Sequence, residues 1–421
     1  MHSSLALLIK RNKPSSEGSK ASDDLKGSAG SQGSEESEAS KSSEGSKVEL
    51  HFNLWDVSTK NYGFAKGRNT FLDVGLYIED TKNLTDLLIY FPFDIPSDGF
   101  IDLHSCFRKD SELVRTIFNE NLSFDSVTQS LSFVRFDEGR EKKFFIHELP
   151  FNNDSLIEIK HGDYQYNGSK IKSTIVNFKK DFFKALARYQ LEQREQGRDS
   201  PHSYFRFRVP LKKINIFVDE YKQGSAIITG TLHKNEIIDF RFNEVRSLPA
   251  QVYQEKDARE LEFASCRVDY FLVKDAMCEY QTSHGSFKKS RTLEKSFWKE
   301  YLLYENNSSP LKNVLENEEP MVIYHWNKTK DKDGSFVGFS AFSKFIEPRV
   351  KKRNVFFYVA LIVSLAIVAN IVTSYMQSAM PYIFAEAPNE NIKNCKEDKF
   401  NPQPKSVSEP TPNMVNDKGE S

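Results

Sequence analysis

Closely spaced cysteines are missing from this sequence, and their absence argues against both a disulfide framework and a zinc site. The four that occur, Cys106, Cys266, Cys278 and Cys395, are scattered. The first three are expected to be buried free thiols. Cys395 lies in a polar tail, where an exposed thiol or an intermolecular bridge is the expectation. The nine histidines form no close ligand pair of the kind a zinc enzyme shows. Glycines cluster only in a Ser-rich segment, so no phosphate-cradling loop is read. No metal and no cofactor is expected.

An excess of one charge is also lacking. Against 58 Lys and Arg stand 59 Asp and Glu, a net charge of -1, which argues against a broad electrostatic footprint for nucleic acid. A secretory leader is not read at the N-terminus either. Met1-His2-Ser3-Ser4 is followed by the short apolar run Leu5–Ile9 and only then by Lys10-Arg11, the reverse of the order such a signal needs.

What the chain does hold is phenylalanine, 34 of 421 residues, with Tyr and Ile beside it, which suits strands packed on a sizeable core. From Pro14 to Lys47 no aromatic occurs, and Ser15-Ser16-Glu17-Gly18-Ser19-Lys20 recurs as Ser42-Ser43-Glu44-Gly45-Ser46-Lys47. Such a stretch buries too little to offset the entropy of ordering, so residues 1–47 are read as a disordered tail or linker.

Beyond it the periods are mostly those of strands. Leu72, Val74, Leu76 and Ile78 alternate with Phe71, Asp73, Gly75 and Tyr77, and Leu87–Phe91 is an apolar run ended by Pro92. Leu131–Phe136 and Lys143–Leu149 flank a turn at Asp137-Glu138-Gly139-Arg140, a hairpin signal. Leu113, Val114, Ile117 and Phe118 after Ser111 predict a short helix. Phe178, Phe182, Leu186 and Tyr189 predict a longer one, capped by Gly197. The charged stretch after it suggests a boundary between a strand-rich subdomain over 48–199 and a second over 200–346.

In that second part Ile214–Val218, Ala226–Leu232 and Ile237–Phe242 read as a meander, and Arg267–Val273 as a further strand. Leu293, Phe297, Tyr301 and Leu302 predict an amphipathic helix, entered through the basic run Lys288-Lys289-Ser290-Arg291. Met321–Trp326 and Phe336–Phe345 read as a hairpin across Lys328–Gly334. The fold class is therefore α+β or mainly β: hairpins and a meander with a few amphipathic helices, plus one C-terminal transmembrane helix.

That last element is the strongest signal. From Val355 to Tyr375 no charge interrupts the run, and a helix of this length crosses roughly 30 Å of hydrocarbon. Val355, Phe356, Leu361, Ile367, Asn370 and Tyr375 mark it, with Asn370 its one strongly polar interior residue. Pro381 is expected to end any extension through Ile383-Phe384. A basic segment over 347–354, with Arg349, Lys351, Lys352 and Arg353, precedes the span, and a polar tail over 376–421 follows it. The positive-inside rule places the large region in the cytoplasm and the tail outside the cell membrane. Asn83-Leu84-Thr85, Asn121-Leu122-Ser123, Asn167-Gly168-Ser169 and Asn327-Lys328-Thr329 fit the glycosylation acceptor pattern and point the other way. With no export signal read, the cytoplasmic orientation is preferred.

Chemistry-bearing patterns are few. His104-Ser105-Cys106, read on a strand, gives neighbours on one face without an orienting third group, so a packed pair is expected. Asp331-Lys332-Asp333-Gly334 resembles a calcium loop, but Gly334 falls two positions early and Phe342 stands where a bidentate glutamate belongs. His161-Gly162-Asp163 reads as a turn. Tyr204-Phe205-Arg206-Phe207-Arg208 interleaves aromatic and basic residues, and Phe240-Arg241-Phe242 repeats the flavour. Arg206, Arg208 and Arg241 are the candidate contacts for nucleic acid or another ligand, although alternation favours core aromatics with solvated arginines and makes nucleic acid the weaker choice.

Function is thus read from architecture. A membrane-tethered cytoplasmic interaction or sensing module is expected, with the lipid bilayer and a protein partner or a second copy of the chain as partners, and a small-molecule ligand left open. A membrane-acting effector in defence or stress and an enzyme with an active site assembled from distant residues are the alternatives.

Overall fold

The structure, a computed structural model, describes residues 4–12, 48–60, 66–137, 142–166, 168–211, 216–221, 233–283, 287–304, 320–329, 338–348 and 352–384. It divides into two units, Met1–Asn354 and Val355–Ser421. The first is strand-rich and carries short helices; the second contains one long apolar helix.

Alternating side chains build the first unit from three sheets. The largest has ten strands, in the spatial order β17 (Phe287–Leu293), β18 (Met321–Lys328), β15 (Cys266–Asp275), β2 (Val48–Lys60), β3 (Lys66–Ile78), β11 (Ser203–Pro210), β8 (Lys143–His147), β7 (Leu131–Phe136) and β6 (Leu122–Ser126), with β5 (Ile101–Asp102) beside β11. A five-stranded sheet runs β14 (Glu262–Phe263), β1 (Ala6–Arg11), β4 (Leu84–Phe91), β10 (Ser169–Phe178), β9 (Ile157–Tyr166). A four-stranded sheet runs β12 (Val218–Tyr221), β13 (His233–Phe242), β19 (Phe339–Pro348), β16 (Glu279–Ser283). Most pairs are antiparallel; β15 with β2 and β11 with β8 are parallel. A parallel bridge from Leu5 to Phe242 joins the two smaller sheets.

One face of the ten-stranded sheet, through Phe52, Val74, Phe207 and Tyr270, shares an apolar core with Leu7, Ile89, Phe240 and Phe345 of the smaller sheets. The arrangement is a sandwich. The opposite face, through Trp55, Phe71 and Val273, is covered by helices α1 (His104–Lys109), α2 (Ser111–Phe118) and a later helix over Lys295–Leu303, which supply Phe107, Leu113, Trp298 and Tyr301. Helix α3 (Lys180–Arg194) inserts Phe182, Phe183 and Leu186 into the sandwich core, and Gly197 just beyond it takes φ 79°. Helix α4 (Ala250–Ala258) covers the outer face of the five-stranded sheet through Val252. The helix over Lys295–Leu303 is α5.

Several expectations are corrected. Residues 5–11 do not belong to the Ser-rich tail. β1 is an interior strand between β4 and β14, and Leu5–Leu8 are fully buried, because a short apolar run of this kind repays its ordering once both of its edges are paired. The boundary between 199 and 200 falls inside one unit, since β11 pairs with β3 along eight residues. Met321–Trp326 and Phe336–Phe345 are not a hairpin: β18 pairs with β15 and β17, whereas β19 pairs with β13 and β16 in another sheet. His161-Gly162-Asp163 lies within β9, and Lys288–Arg291 within β17. The predicted hairpin of β7 with β8 forms. In place of the expected meander order, β13 pairs directly with β12, with Ile238 opposite Val218. Residues 13–47 and 226–232, Arg349, Lys351, the Asp331–Gly334 turn and residues 385–421 with Cys395 lie outside the described residues.

In the second unit, helix α6 (Lys352–Phe384) continues through Pro381 to Phe384, past the expected stop. Proline removes one backbone donor, and a long helix absorbs that single loss. Its apolar stretch Phe356–Ser378 has 23 residues and a mean hydropathy of 2.4, with none of it buried. At 1.5 Å per residue that stretch spans about 35 Å, enough for a bilayer core.

Candidate ligand site

The outer face of the ten-stranded sheet carries polar chemistry that the sequence disguises as ordinary alternation. On β11, Phe205, Phe207 and Val209 enter the sandwich core, as expected. Arg206 and Arg208 occupy the other face but are not solvated: each is 1% exposed. They therefore cannot serve as surface phosphate contacts, and that reading is corrected. The reason is α5, whose Tyr301 closes over them, and Asp73 on β3, which provides their counter-charge.

Asp73 is saturated. It accepts from Arg208 Nε at 2.8 Å and Nη2 at 3.3 Å, from Trp55 Nε1 at 2.9 Å and from the Tyr301 hydroxyl at 2.6 Å. Arg206 is left with neutral oxygens. Its Nε donates to Tyr301 Oη at 2.7 Å and its Nη1 to Tyr204 Oη at 3.0 Å. Burial holds both phenols above their ordinary pKa, so neither supplies a negative charge. Arg206 Nη2 stands 4.0 Å from Asp73 Oδ2 and has no hydrogen-bond partner among the described residues. Gly75, paired with Arg206 across the ladder, is required here: a Cβ on it would fall 2.5 Å from Tyr204 Oη and 3.2 Å from Arg206 Nη1.

Arg206 forms part of the wall of a cavity of about 350 Å³ between the C-terminal end of α2 and strands β2, β3, β15, β17 and β18. Five cationic side chains line it, Lys142, Arg206, Arg267, Lys289 and Arg291, against the carboxylates Glu49, Glu120 and Asp269. Aromatic rings supply the rest, with Tyr77, Phe118, Phe136, Phe271 and Trp298 among them. Trp298, 3% exposed, also has an indole N–H without a partner among the described residues. The His51 pKa falls to about 4, first through burial and then through Arg206, Arg267 and Lys142, with only Asp269 opposing.

At the opposite wall Asp269 gathers His325 Nε2 at 2.8 Å, Asn327 Nδ2 at 2.7 Å and Arg267 Nε at 2.8 Å. Burial alone would raise its carboxyl, but the hydrogen bond from His325 and the nearby positive groups hold it at about 2. The His325 ring stacks on Phe271 with centroids 4.4 Å apart. Its Nδ1 has no partner among the described residues, so no described hydroxyl or thiol is held against it for nucleophilic work.

The other sequence candidates lie elsewhere. Arg241, 31% exposed, sits in the four-stranded sheet, paired with Asp239 at 2.7 Å and bonded to Ser247. His104 and Cys106 lie on helix α1 rather than on a strand. His104 Nε2 contacts Ser132 Oγ at 3.0 Å, and burial pushes the Cys106 thiol up to about 12, which leaves it unreactive. Cys266 and Cys278 are buried free thiols as well. Val355, Phe356, Leu361, Ile367, Asn370 and Tyr375 lie along α6, and Lys352 and Arg353 open it. Among the described residues no group of three His, Cys, Asp or Glu side chains could hold a metal ion.

A larger cavity, about 560 Å³, lies between α3 and the β8 edge; there His147 bonds Ser203 at 3.0 Å, Asp102 accepts from the backbone N–H groups of His104 and Leu149, and no lining side chain has a buried polar atom without a hydrogen bond among the described residues. The outer-face pocket is the better candidate. No protein-family model matches the chain, and no curated protein matches it in sequence.

Proposed function

We propose that the chain is a membrane-tethered sensing module, in which the unit 1–354 takes a small ligand in the outer-face pocket and α6 holds it at the cell membrane. The observation that carries this reading is the union in one chain of a 23-residue apolar helix, unburied throughout, with a folded unit whose pocket wall keeps unpartnered buried donors. A purely structural wall would satisfy those donors internally. The ligand-binding unit faces the cytoplasm and the C-terminal tail lies outside, since Lys344, Arg349, Lys351, Lys352 and Arg353 crowd one end of the span and Lys393, Lys396 and Lys399 lie farther from the other.

The test is topology, because orientation decides which ligands the pocket meets. Reporters fused after residue 354 and at the C-terminus, with protease added to intact cells, should show a protected unit and a cleaved tail. A protease-accessible unit would reverse the orientation and make Asn83 and Asn121 candidate glycan sites.

A second reading has its own observation. Asn370, Ser374 and Ser378 recur every four residues along one side of α6 and border a shallow concavity with Ile371 and Tyr375. A polar line of this kind suits association of several copies, and a membrane-permeabilising effector would use it. Induced expression that leaks a membrane-impermeant dye, and stops leaking when Asn370 and Ser374 are replaced by leucine, supports the effector; intact membranes favour the sensor.

A further inference from the structure

We infer that the outer-face pocket takes a small organic anion with a flat apolar body, its acidic group paired with the buried guanidinium of Arg206. The inference rests on the pocket being a ligand site and names the ligand's chemistry.

Charge balance carries it. Arg206 and Arg208 are both buried, and the carboxylate within reach, Asp73, is already engaged by Arg208 through two nitrogens. Arginine does not release its proton in a protein. The cluster therefore keeps one positive charge whose direct partners are two phenol oxygens. A buried charge whose counter-ion is shared and 4.0 Å away is undercompensated, and an anion in direct contact would complete the balance. Arg206 Nη2 supplies the open donor, and the pocket beside it supplies the space.

The guanidinium is also fixed in place. Tyr301 and Tyr204 hold Nε and Nη1, and Gly75 leaves room for that pair, so the remaining donor is presented without loss of side-chain freedom on binding. The same geometry suits one oxyanion better than a cation or a neutral amide.

Size and walls define the remainder of the ligand. About 350 Å³ lies at the small end of ligand cavities. Phe118, Phe271 and Trp298 in the walls favour a planar ring. Lys289 and Arg291, exposed on β17, draw anions toward the mouth without being buried themselves. Aromatic carboxylates and ring-bearing phosphate monoesters share this chemistry, and the measurement separates them.

The experiment uses the full chain in detergent micelles at fixed ionic strength, with thermal unfolding and calorimetric titration. The probes are benzoate, adenosine 5′-monophosphate, inorganic phosphate and the neutral isostere benzamide. Benzoate or the nucleotide should raise the melting temperature saturably, whereas benzamide should not. Arg206→Met should abolish that rise while melting no lower than the wild type in the absence of anion, since it leaves Arg208 alone with Asp73 and removes the positive charge in excess. Lys289→Ala with Arg291→Ala, on the exposed strand, should weaken binding several-fold and steepen none of the salt dependence. If Arg206→Met does not fold, Gly75→Ala, which displaces Tyr204 and Arg206, is read in its place and should weaken binding at least tenfold. Binding of benzamide as tight as benzoate overturns the anion assignment and leaves a ligand pocket standing. No saturable effect of benzoate, nucleotide or phosphate beyond that of sodium chloride overturns the inference outright. Neither result depends on membrane orientation, so failure here is distinct from failure of the topology test.

Discussion

Two clusters of charge are buried on opposite faces of the same ten-stranded sheet, and they are balanced differently. On the inner face Lys274 lies between Asp56 at 2.8 Å and Glu236 at 2.6 Å, and Lys234 binds the other Glu236 oxygen at 2.6 Å. Glu220 at the rim also reaches Lys234. Two buried ammonium groups face two buried carboxylates, and the cluster ties β2 and β15 of the large sheet to β13 of the small one. On the outer face two guanidinium groups face one carboxylate, beside a cavity. Burial alone does not mark a functional cluster. The outer cluster differs in having one positive charge in excess beside open space, and that excess is what the proposed ligand would use.

The largest expected effect breaks the outer cluster. Asp73→Ala strands two arginines that cannot neutralise themselves, and the unit should lose about 3–5 kcal/mol. All three tryptophans, Trp55, Trp298 and Trp326, are buried in this unit, so the urea midpoint of the full chain in micelles, followed by tryptophan fluorescence, reports it. The loss should be nearly the same at pH 5 and pH 7. Lys274→Met breaks the inner cluster and should cost somewhat less, about 3 kcal/mol at pH 7. The variant takes the Lys274 ammonium from Asp56 while Lys234 still holds Glu236, and uptake of a proton by a buried carboxyl relieves that loss, so its cost should shrink at pH 5. Equal pH dependence in the two variants would undo the distinction between the clusters.

Buried histidines take the remaining route and shed their charge. Burial lowers His147 to about 3 and His104 to about 4, each with a serine partner. In the unfolded chain both titrate near 6.5, so between that value and the folded pKa the unfolded state binds more protons. Stability contributed by these neutral rings is complete above about pH 6.5 and falls as the pH is lowered toward 4. The slope is about 1.4 kcal/mol per pH unit for each histidine. Replacing His147 with Gln should therefore remove about 2 kcal/mol of the difference in unfolding free energy between pH 7 and pH 5.

These clusters differ in how far the sequence discloses them. The strands themselves are visible as alternation at Leu72–Ile78 and Tyr204–Val209, because one face of each is uniformly apolar. The other face reads as solvent-facing only if nothing covers it, and the covering helix α5 lies roughly ninety residues downstream. Phe71 and Tyr77 flanking Asp73 were the local hint that this second face is also buried. Asp269 and His325 meet only through the register of β15 on β18, which no local pattern records. The same holds for β1: six residues between a Ser-rich stretch and the N-terminus look like part of a tail until β4 and β14 are known to flank them. The long apolar helix alone is fully legible, since its uncharged run is continuous and an α-helix closes its backbone bonds within itself.

That helix offers the neutral limit of the comparison. Asn370 is a polar group in an apolar run, with no charge to balance, and it is exposed on α6. In hydrocarbon its amide gains most by bonding to the same residue of a second copy, and interhelical bonds of this type contribute about 0.6–2 kcal/mol. Replacing Asn370 with Leu should weaken dimerisation of the isolated span in lipid by roughly three- to thirty-fold. Förster transfer between labelled peptides in bilayers measures it, and Ser374→Leu, one turn on, should have a smaller effect because a hydroxyl can bond to its own backbone. A wild-type span that stays monomeric would leave Asn370 without an associating role and return the tethered unit to action as a single copy.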